Sequence, residues 1–303
     1  MTADTSNLPM KSNNPNGPVV FFATPAYDGC KPWYVLSLID ATRDLNSKGY
    51  RVKHFFSHGC SIVTNAREEL LGAFLASGAE WLVMCDSDIG WPADLIARMI
   101  AFGEPMMVAA VPYRSIDTEK IEAGTYSDGI LFNTTKAEDL QDREFRDGFV
   151  RVDHAGSAFM VCRRDTILAM TRRYADLEIQ IGHIKSWALF AQLIVNKTHV
   201  GEDISFFRRW LSMGGQVWCC VDAEMTHTGP VTVGGNIARK IEGGSDPASR
   251  WVRGSVFHTP GLGLPTDPKP AAELPPASTP PVAAAVPPPA AVEAPSTVEP
   301  AAS

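Results

Sequence analysis

Two aspartates separated by a single residue follow a short apolar segment of this chain. The segment Trp81–Cys85 is continuously apolar, and Asp86-Ser87-Asp88 comes directly after it. Such a run is typical of a buried strand in a parallel sheet, and open α/β sheets bind their ligands at the carboxyl ends of their strands. Mg²⁺ and Mn²⁺ prefer oxygen ligands and commonly combine one or two carboxylates with the phosphates of a substrate. The two aspartates therefore predict a site for a divalent cation and a diphosphate.

The same two aspartates also have a purely structural interpretation. An Asp-x-Asp triplet arises by chance about once in a chain of this size. Asp88 would then belong to a strand-to-helix turn and cap the next helix. The sequence predicts that this helix begins at Pro92 and buries the apolar residues between Leu95 and Ile100. Other parts of the chain are needed to decide between a metal site and a turn.

The composition is that of a globular domain followed by an atypical end. Of the 303 residues, 45% are hydrophobic and 20% are charged, which is ordinary for a folded protein. Residues 261–303 are mostly Pro, Ala, Val, Ser and Thr and hold 12 of the 23 prolines, which predicts a disordered tail. We therefore expect a flexible N-terminus over 1–17, one α/β domain over 18–235, a C-terminal extension over 236–260, and the tail.

Charge and cysteine usage narrow the class of protein. The net charge is −7, so the chain lacks the broad positive field of a non-specific nucleic-acid binder. The six cysteines have neither metal-ligand nor disulfide-framework spacing, and Cys85 and Cys162 lie within apolar strands, which predicts a reducing compartment. Because residues 1–18 are polar and no apolar run reaches membrane-spanning length, we expect no signal peptide, no transmembrane segment and a cytoplasmic protein.

The segments around the aspartates predict alternating strands and helices. Apolar strands at 18–25 and 51–57 each precede a helix, the first over 32–48 and the second from Asn65 onward, before the central strand begins. Asn65 and Glu68 have the spacing of a capping box. Strand and helix repeats of this length predict an α/β fold with a mostly parallel sheet flanked by helices.

Several motifs, taken in order, resemble those of the GT-A glycosyltransferases, in particular family 2 and the Mnn9/Anp1-type mannosyltransferases. They are Asp86-Ser-Asp88, the Gly156-Ser157 turn before a strand, Gly201-Glu-Asp203 at the start of an amphipathic helix, and His227-Thr-Gly229 after the last strand. Thr24-Pro25 after the first strand and Ala66-Arg67 at a helix start also match in position. The resemblance covers residues 18–235 and implies a nucleotide-diphospho-sugar transferase fold with a hexosyltransferase-like activity.

The resemblance implies a metal site formed by Asp86, Asp88 and His227. Asp88 would hold Mn²⁺ or Mg²⁺, and Asp86 would share the cation or contact the ribose. The neutral imidazole of His227 would be a further ligand, and the cation would neutralise the diphosphate leaving group as a Lewis acid. Without the other motifs, the simplest interpretation of His227 is a surface histidine.

The resemblance also assigns residues to the donor and to catalysis. The nucleotide would contact Thr24, Pro25, Tyr27, Asp28, Arg67 and Asp86. Arg67 would face the diphosphate from a helix start, which suits anions. Asp203 would take the acceptor's proton in an inverting reaction, or orient the substrates in a retaining one, and Glu202 would assist there or bind the acceptor. A surface arginine and acidic residues in the first turn of a helix are the structural alternatives.

Other classes of protein fit the sequence less well. A haloacid-dehalogenase-type phosphatase would need Thr or Val where Gly90 stands, and the chain has no Gly-x4-Gly-Lys-Ser/Thr loop and no Gly-x-Gly-x-x-Gly turn after the first strand. A sugar-phosphate nucleotidyltransferase stays open, although residues 24–30 are neither glycine-rich nor basic. A nucleotide- or carbohydrate-binding domain without turnover stays open as well. We expect a UDP- or GDP-sugar as the donor, but the sequence does not tell which one. The acceptor also stays open between a glycan, a lipid-linked sugar, a protein and modified DNA.

Overall fold

Strands and helices alternate along the first part of the chain, as the apolar pattern predicts. The computed structural model describes residues 14–117, 119, 122, 130–241 and 250–253, which belong to one unit spanning Met1–Val256. The tail predicted over 261–303 and most of the predicted flexible N-terminus lie outside these residues. None of the described helices combines the length and the apolar content that a bilayer-spanning helix needs.

The described residues form eighteen strands and six α-helices. In chain order the strands are β1 (Val19–Ala26), β2 (Arg51–His58), β3 (Trp81–Cys85), β4 (Ile89–Gly90), β5 (Met106–Ala109), β6 (Pro112–Ile116), β7 (Ile130–Phe132), β8 (Phe145–Arg146), β9 (Phe149–Val152), β10 (Phe159–Arg163), β11 (Glu178–Ile181), β12 (Ile184–Trp187), β13 (Ile194–Val195), β14 (Thr198–His199), β15 (Val217–Cys220), β16 (Met225–Thr228), β17 (Val231–Gly235) and β18 (Arg250–Arg253). The helices are α1 (Pro32–Ser47), α2 (Val63–Ser77), α3 (Leu95–Phe102), α4 (Arg164–Arg173), α5 (Glu202–Ser212) and α6 (Ile237–Ile241).

Eight of these strands form the central sheet in the order β2-β1-β3-β10-β5-β15-β9-β8. β1 pairs in parallel with β2 and β3, and β5 pairs in parallel with β15. β10 and β9 run antiparallel to their neighbours, so the other six of the eight strands point the same way. The predicted fold class, an α/β fold with a mostly parallel sheet flanked by helices, is confirmed.

The alternation of side chains along β3 gives the sheet two buried faces. Leu82 and Met84 pack with residues of α2, α4 and α5 in one core. Val83 and Cys85 pack with α1 and α3 in the other. Because successive side chains of a strand point to opposite faces, a strand that is buried on both sides must be apolar throughout. The change from apolar to acidic residues after β3 therefore marks the point where the chain leaves the buried layer.

A second, four-stranded sheet with the order β18-β17-β16-β4 lies at this point. β4 follows Asp88 directly and pairs antiparallel with β16, which places Ile89 opposite His227. The Thr228 N–H donates to the Asp88 carbonyl oxygen at 2.8 Å. Part of the predicted C-terminal extension packs with the domain, because β18 pairs with β17 and Ile237 of α6 is buried in the core.

Two predicted helix starts are wrong. α2 begins at Val63, so Asn65 lies inside the helix and forms no capping box, and the side chain of Glu68 is buried. α3 begins at Leu95 rather than at Pro92. The chain first completes the pairing of β4 with β16 and then turns, with the Leu95 N–H donating to the Pro92 carbonyl oxygen at 3.2 Å. Packing and strand pairing over long sequence distances, rather than the local motifs, set both helix starts.

Gly72 allows α2 to pack closely against β12. A Cβ atom at this position would lie 2.5 Å from Ile184 Cγ2 and 2.7 Å from the Lys185 carbonyl oxygen. We expect Gly72→Ala to lower the free energy of unfolding by about 1–3 kcal/mol, the usual cost of overpacking, despite the better helix propensity of alanine. Urea unfolding measures this change. The control is Ala76→Ser at an exposed position of the same helix, and equal stability of Gly72→Ala and the wild type would contradict the close packing.

Candidate functional site

Asp86 is held at the carboxyl end of β3 by the chain that leads into the reversed strand β10. Its backbone N–H donates to the Ala158 carbonyl oxygen, 2.9 Å away. Its side chain is 27% exposed, and its Oδ1 accepts a hydrogen bond from Arg67 Nη2 at 2.8 Å. Burial raises the pKa of Asp86, the guanidinium of Arg67 opposes this rise, and the charge of Asp88 adds to it. The guanidinium of Arg67 therefore anchors the carboxylate of Asp86.

Arg67 links the end of β3 to the start of α5. Its side chain is only 4% exposed, and its Nε lies 3.7 Å from Glu202 Oε1. Its Nη1 lies 3.5 Å from the Ser157 carbonyl oxygen, and its guanidinium carbon lies 6.0 Å from the centre of the Phe190 ring. A buried guanidinium is tolerated only when its charge is paired. Asp86 and Glu202 together supply that pairing.

Asp88 and His227 face each other where the two sheets meet. His227 Nε2 lies 3.4 Å from Asp88 Oδ2, and the two side chains are 15% and 16% exposed. His227 Nδ1 lies 2.8 Å from the Pro112 carbonyl oxygen, which can only accept, so Nδ1 carries a proton. In the neutral imidazole, Nε2 then presents a lone pair to the carboxylate of Asp88. A positive charge between these two acceptors would turn an unfavourable contact into a favourable one.

Two residues of β6 complete the site. Arg114 Nη1 donates to Asp88 Oδ2 at 3.1 Å, and the Arg114 side chain is 57% exposed. Burial raises the pKa of the Tyr113 phenol, and the negative charge of Asp203 adds to this rise. Neither residue has an assigned role in the sequence-based prediction. The signal that could have identified them is their position after β5, whose carboxyl end lies at the same edge of the sheet as that of β3.

α5 begins with the two predicted catalytic carboxylates. Asp203 Oδ1 accepts a hydrogen bond from the Ile204 N–H at 2.7 Å, which satisfies one of the unpaired donors of the first helical turn. Burial raises the pKa of Asp203. The hydrogen bond from Ile204 opposes the rise, Glu202 adds to it, and Arg67 opposes it. A raised pKa brings a carboxylate closer to the range in which a general base is effective.

The structure places Thr24 and Pro25 within β1 rather than in a turn after it, and Tyr27 and Asp28 follow the strand. Thr24 is buried, and its hydroxyl hydrogen-bonds the phenol of Tyr34 on α1 at 2.5 Å. Pro25 is the second-to-last residue of β1, and Tyr27 and Asp28 are exposed. The Thr24 hydroxyl therefore faces α1 rather than the acidic residues. A contact of these residues with a nucleotide stays a prediction.

The remaining predicted residues come together at one edge of the sheet. They are Arg67, Asp86, Asp88, Glu202, Asp203 and His227. Among the described residues, no three His, Cys, Asp or Glu side chains converge into a group that could hold a metal ion. Asp88 and His227 approach each other, whereas Asp86 turns to Arg67. The metal site formed by all three residues therefore stays a prediction, and a cation beside Asp88 would take several of its ligands from the substrate and water.

Comparisons with known proteins leave the family open. No protein-family model and no curated protein matches the chain. A197 from STIV aligns with a TM-score of 0.41 and 13% identity over 80% of this chain and 98% of its own. The nucleoside-diphosphate-sugar pyrophosphorylase from Vibrio cholerae RC9 aligns with a TM-score of 0.32 and 8% identity over 66% of this chain and 90% of its own. A glycosyltransferase involved in the glycosylation of the major capsid of PBCV-1 aligns with a TM-score of 0.26 and 8% identity over 52% of this chain and 68% of its own.

Glu68 is a buried carboxyl group directly behind the site. Glu68 is the next residue after Arg67 on α2, and it is 5% exposed. Its Oε1 has no hydrogen-bond partner within the part of the chain that the structure describes. Burial raises the pKa of Glu68 from 4.5 to about 7, and the guanidinium of Arg209 opposes this rise. The folded protein therefore keeps a proton on Glu68 at pH values where the unfolded chain has lost it.

We expect Glu68 to make the protein less stable as pH rises from about 4.5 to about 7, because the unfolded state then binds fewer protons than the folded state. One pKa unit corresponds to about 1.4 kcal/mol, so the loss amounts to about 3 kcal/mol above this range. Glu68→Gln should remove this loss, as measured by urea unfolding at pH 5 and pH 8. Asp40→Asn, at an exposed position of α1, should retain it. If the stability of the Glu68→Gln protein changes with pH as much as that of the wild type, Glu68 does not retain its proton in the folded state.

Proposed function

We propose that this protein is a metal-dependent glycosyltransferase that moves a sugar from a nucleotide-diphosphate sugar to an acceptor hydroxyl. The observation that carries the proposal is the convergence of Asp88 and His227 with Arg67 and the carboxylates of α5 at the carboxyl edge of the sheet. This edge is where open α/β sheets bind their ligands. It provides groups that can bind a cation, groups that can bind phosphate, and a carboxylate that can accept a proton.

The contact between Asp88 and His227 fits a divalent cation. A carboxylate oxygen and an imidazole nitrogen are suitable ligands for Mn²⁺, and a ligating histidine commonly donates its other N–H to a backbone carbonyl, as His227 does to Pro112. Two protein ligands also agree with the tendency of Mg²⁺ to rely on substrate phosphates and water for its remaining ligands. When bound there, the cation would offset the negative charge on the diphosphate leaving group.

The two arginines of the site support a diphosphate as the ligand. Arg114 is more than half exposed and already binds the carboxylate of Asp88, so its guanidinium can reach a phosphate placed beside that residue. Guanidinium groups bind phosphate oxygens in a two-pronged geometry. Arg67 is buried and fixed by Asp86 and Glu202. These two carboxylates already offset its charge, so Arg67 holds them in place while Arg114 is the arginine that can bind the phosphate.

Asp203 is the group best suited to receive the acceptor's proton. It lies at the start of a helix, is held by the Ile204 N–H, and has a pKa raised by burial. In an inverting reaction, its carboxylate would take the proton from the attacking hydroxyl. In a retaining reaction, the same carboxylate would orient the acceptor. Glu202 pairs with Arg67 and so contributes mainly by positioning.

Asp88→Asn tests the cation site, because it removes the carboxylate charge and preserves the size of the side chain. We expect this variant to lose metal-dependent hydrolysis of UDP- and GDP-sugars by at least about 100-fold, since a Lewis-acid contribution is worth several kcal/mol. Isothermal titration with UDP and GDP, with and without Mn²⁺, should show that the wild type gains affinity from the metal and that Asp88→Asn does not.

The matched control for this test is Asp94→Asn, an exposed carboxylate in the following turn, which should keep wild-type activity. Full activity of Asp88→Asn would disprove the cation site. Pyrophosphate release from a nucleoside triphosphate and a sugar 1-phosphate would identify a nucleotidyltransferase instead. Nucleotide binding without hydrolysis or transfer would identify a binding domain that has lost turnover.

Asp203→Asn separates catalysis from donor binding. The amide keeps the hydrogen bond from Ile204 but no longer accepts a proton at neutral pH. We expect kcat for sugar transfer to fall by about 10²–10⁴-fold, the usual contribution of a general base, while the affinity for UDP or GDP stays unchanged. A variant that loses nucleotide affinity at an unchanged kcat would show that Asp203 serves the donor rather than the acceptor.

A further inference from the structure

A cavity lies outside the residues assigned above to the donor. Its volume is about 220 Å³, and it lies between β6, β7, the segment after β7, and α6. Ile130, Phe132 and Ile237 form its apolar part, and all three are buried. Tyr113 also lines the cavity, and the charge of Asp203 contributes to the raised pKa of its phenol.

Three side chains give this cavity a basic character. Lys136, His154 and Lys240 line it, and no Asp or Glu is among the described lining residues. Lys136 and His154 are exposed and accessible to a ligand. Lys240 is only 8% exposed and also interacts within the protein. We call this site the basic cavity. Cationic groups in a concave, partly apolar site raise the local concentration of anions.

A second cavity connects the same histidine to α5. It has a volume of about 360 Å³ and is lined by His154, Ile204, Phe207 and three further residues. The Ile204 N–H is the group that donates to Asp203 Oδ1 at 2.7 Å. His154 thus belongs to both cavities, and Ile204 of the second cavity holds the carboxylate of Asp203.

We propose that the basic cavity binds an anionic group of the acceptor, so that the acceptor is an acidic sugar that carries a phosphate or a carboxylate. This inference rests on the proposed glycosyltransferase function and deepens it. The basic cavity, at about 220 Å³, is smaller than the roughly 300–1,000 Å³ of pockets that enclose drug-sized ligands. It therefore holds one charged group and the adjacent carbon atoms. The remainder of the acceptor extends past Tyr113, which directs a hydroxyl toward Asp203.

The test compares ligands that share one sugar ring and differ in charge, in the absence of donor and metal. Isothermal titration of the full chain with glucose 6-phosphate, glucuronate and glucose should show tighter binding of at least one acidic sugar than of glucose. Lys136→Ala should weaken that binding by about tenfold, or about 1.4 kcal/mol, because it removes a charged hydrogen-bond donor. Lys136→Arg should restore it. The control is Lys185→Ala, an exposed lysine on β12, which should bind like the wild type.

Equal affinity for glucose and both acidic sugars, or unchanged binding by Lys136→Ala, would overturn the inference. Because Lys136 is exposed, its substitution leaves the fold intact and the result interpretable. Donor and metal are absent from this measurement, so its outcome is independent of the Asp88→Asn test. If the acidic sugars bind no more tightly than glucose, the acceptor is neutral and the glycosyltransferase proposal is unaffected. If the protein instead proves unable to use a nucleotide-sugar donor, the measured binding of acidic sugars is unaffected.

Discussion

The buried guanidinium of Arg67 is the interaction on which the geometry of the site depends. It joins α2 to the end of β3 through Asp86 and, more than a hundred residues further along the chain, to the start of α5 through Glu202. Removing a guanidinium from water costs several kcal/mol unless carboxylates pair with it. None of the three segments can therefore shift without leaving a buried charge unpaired. The same pairing limits the rise that burial imposes on the pKa of Asp86.

The two aspartates of the Asp-x-Asp motif have different partners because the chain changes sheets between them. Asp86 follows β3 directly and binds the guanidinium of Arg67. Asp88 precedes β4, whose pairing with β16 brings it to His227 and within reach of the exposed Arg114. One carboxylate thus binds the buried Arg67, and the other faces His227 and the exposed Arg114. This difference follows from strand pairing, since the two side chains are chemically identical.

The elements with a continuous or periodic apolar pattern were predicted well, and those set by distant contacts were not. β3 and α5 lie where the apolar run and the amphipathic period place them. The capping box at Asn65 failed because α2 begins earlier and buries Glu68. Tyr113 and Arg114 were not assigned because no local pattern distinguishes them from ordinary residues of an exposed strand. The order of the motifs was enough to select Arg67, Glu202 and Asp203 as candidates for the site.

The sequence by itself determined the α/β class, because the burial of a strand on both faces requires an apolar run that can be read locally. It also determined which acidic residues end the central strand and begin α5. Only the tertiary structure decided that Arg67 stands between those acids, that His227 faces Asp88 rather than Asp86, and that Lys136, His154 and Lys240 line one cavity. The physical reason is that apolar periodicity acts between near neighbours in the chain. The pairing of buried charges, in contrast, joins residues from 19 to more than a hundred positions apart and depends on how the elements pack.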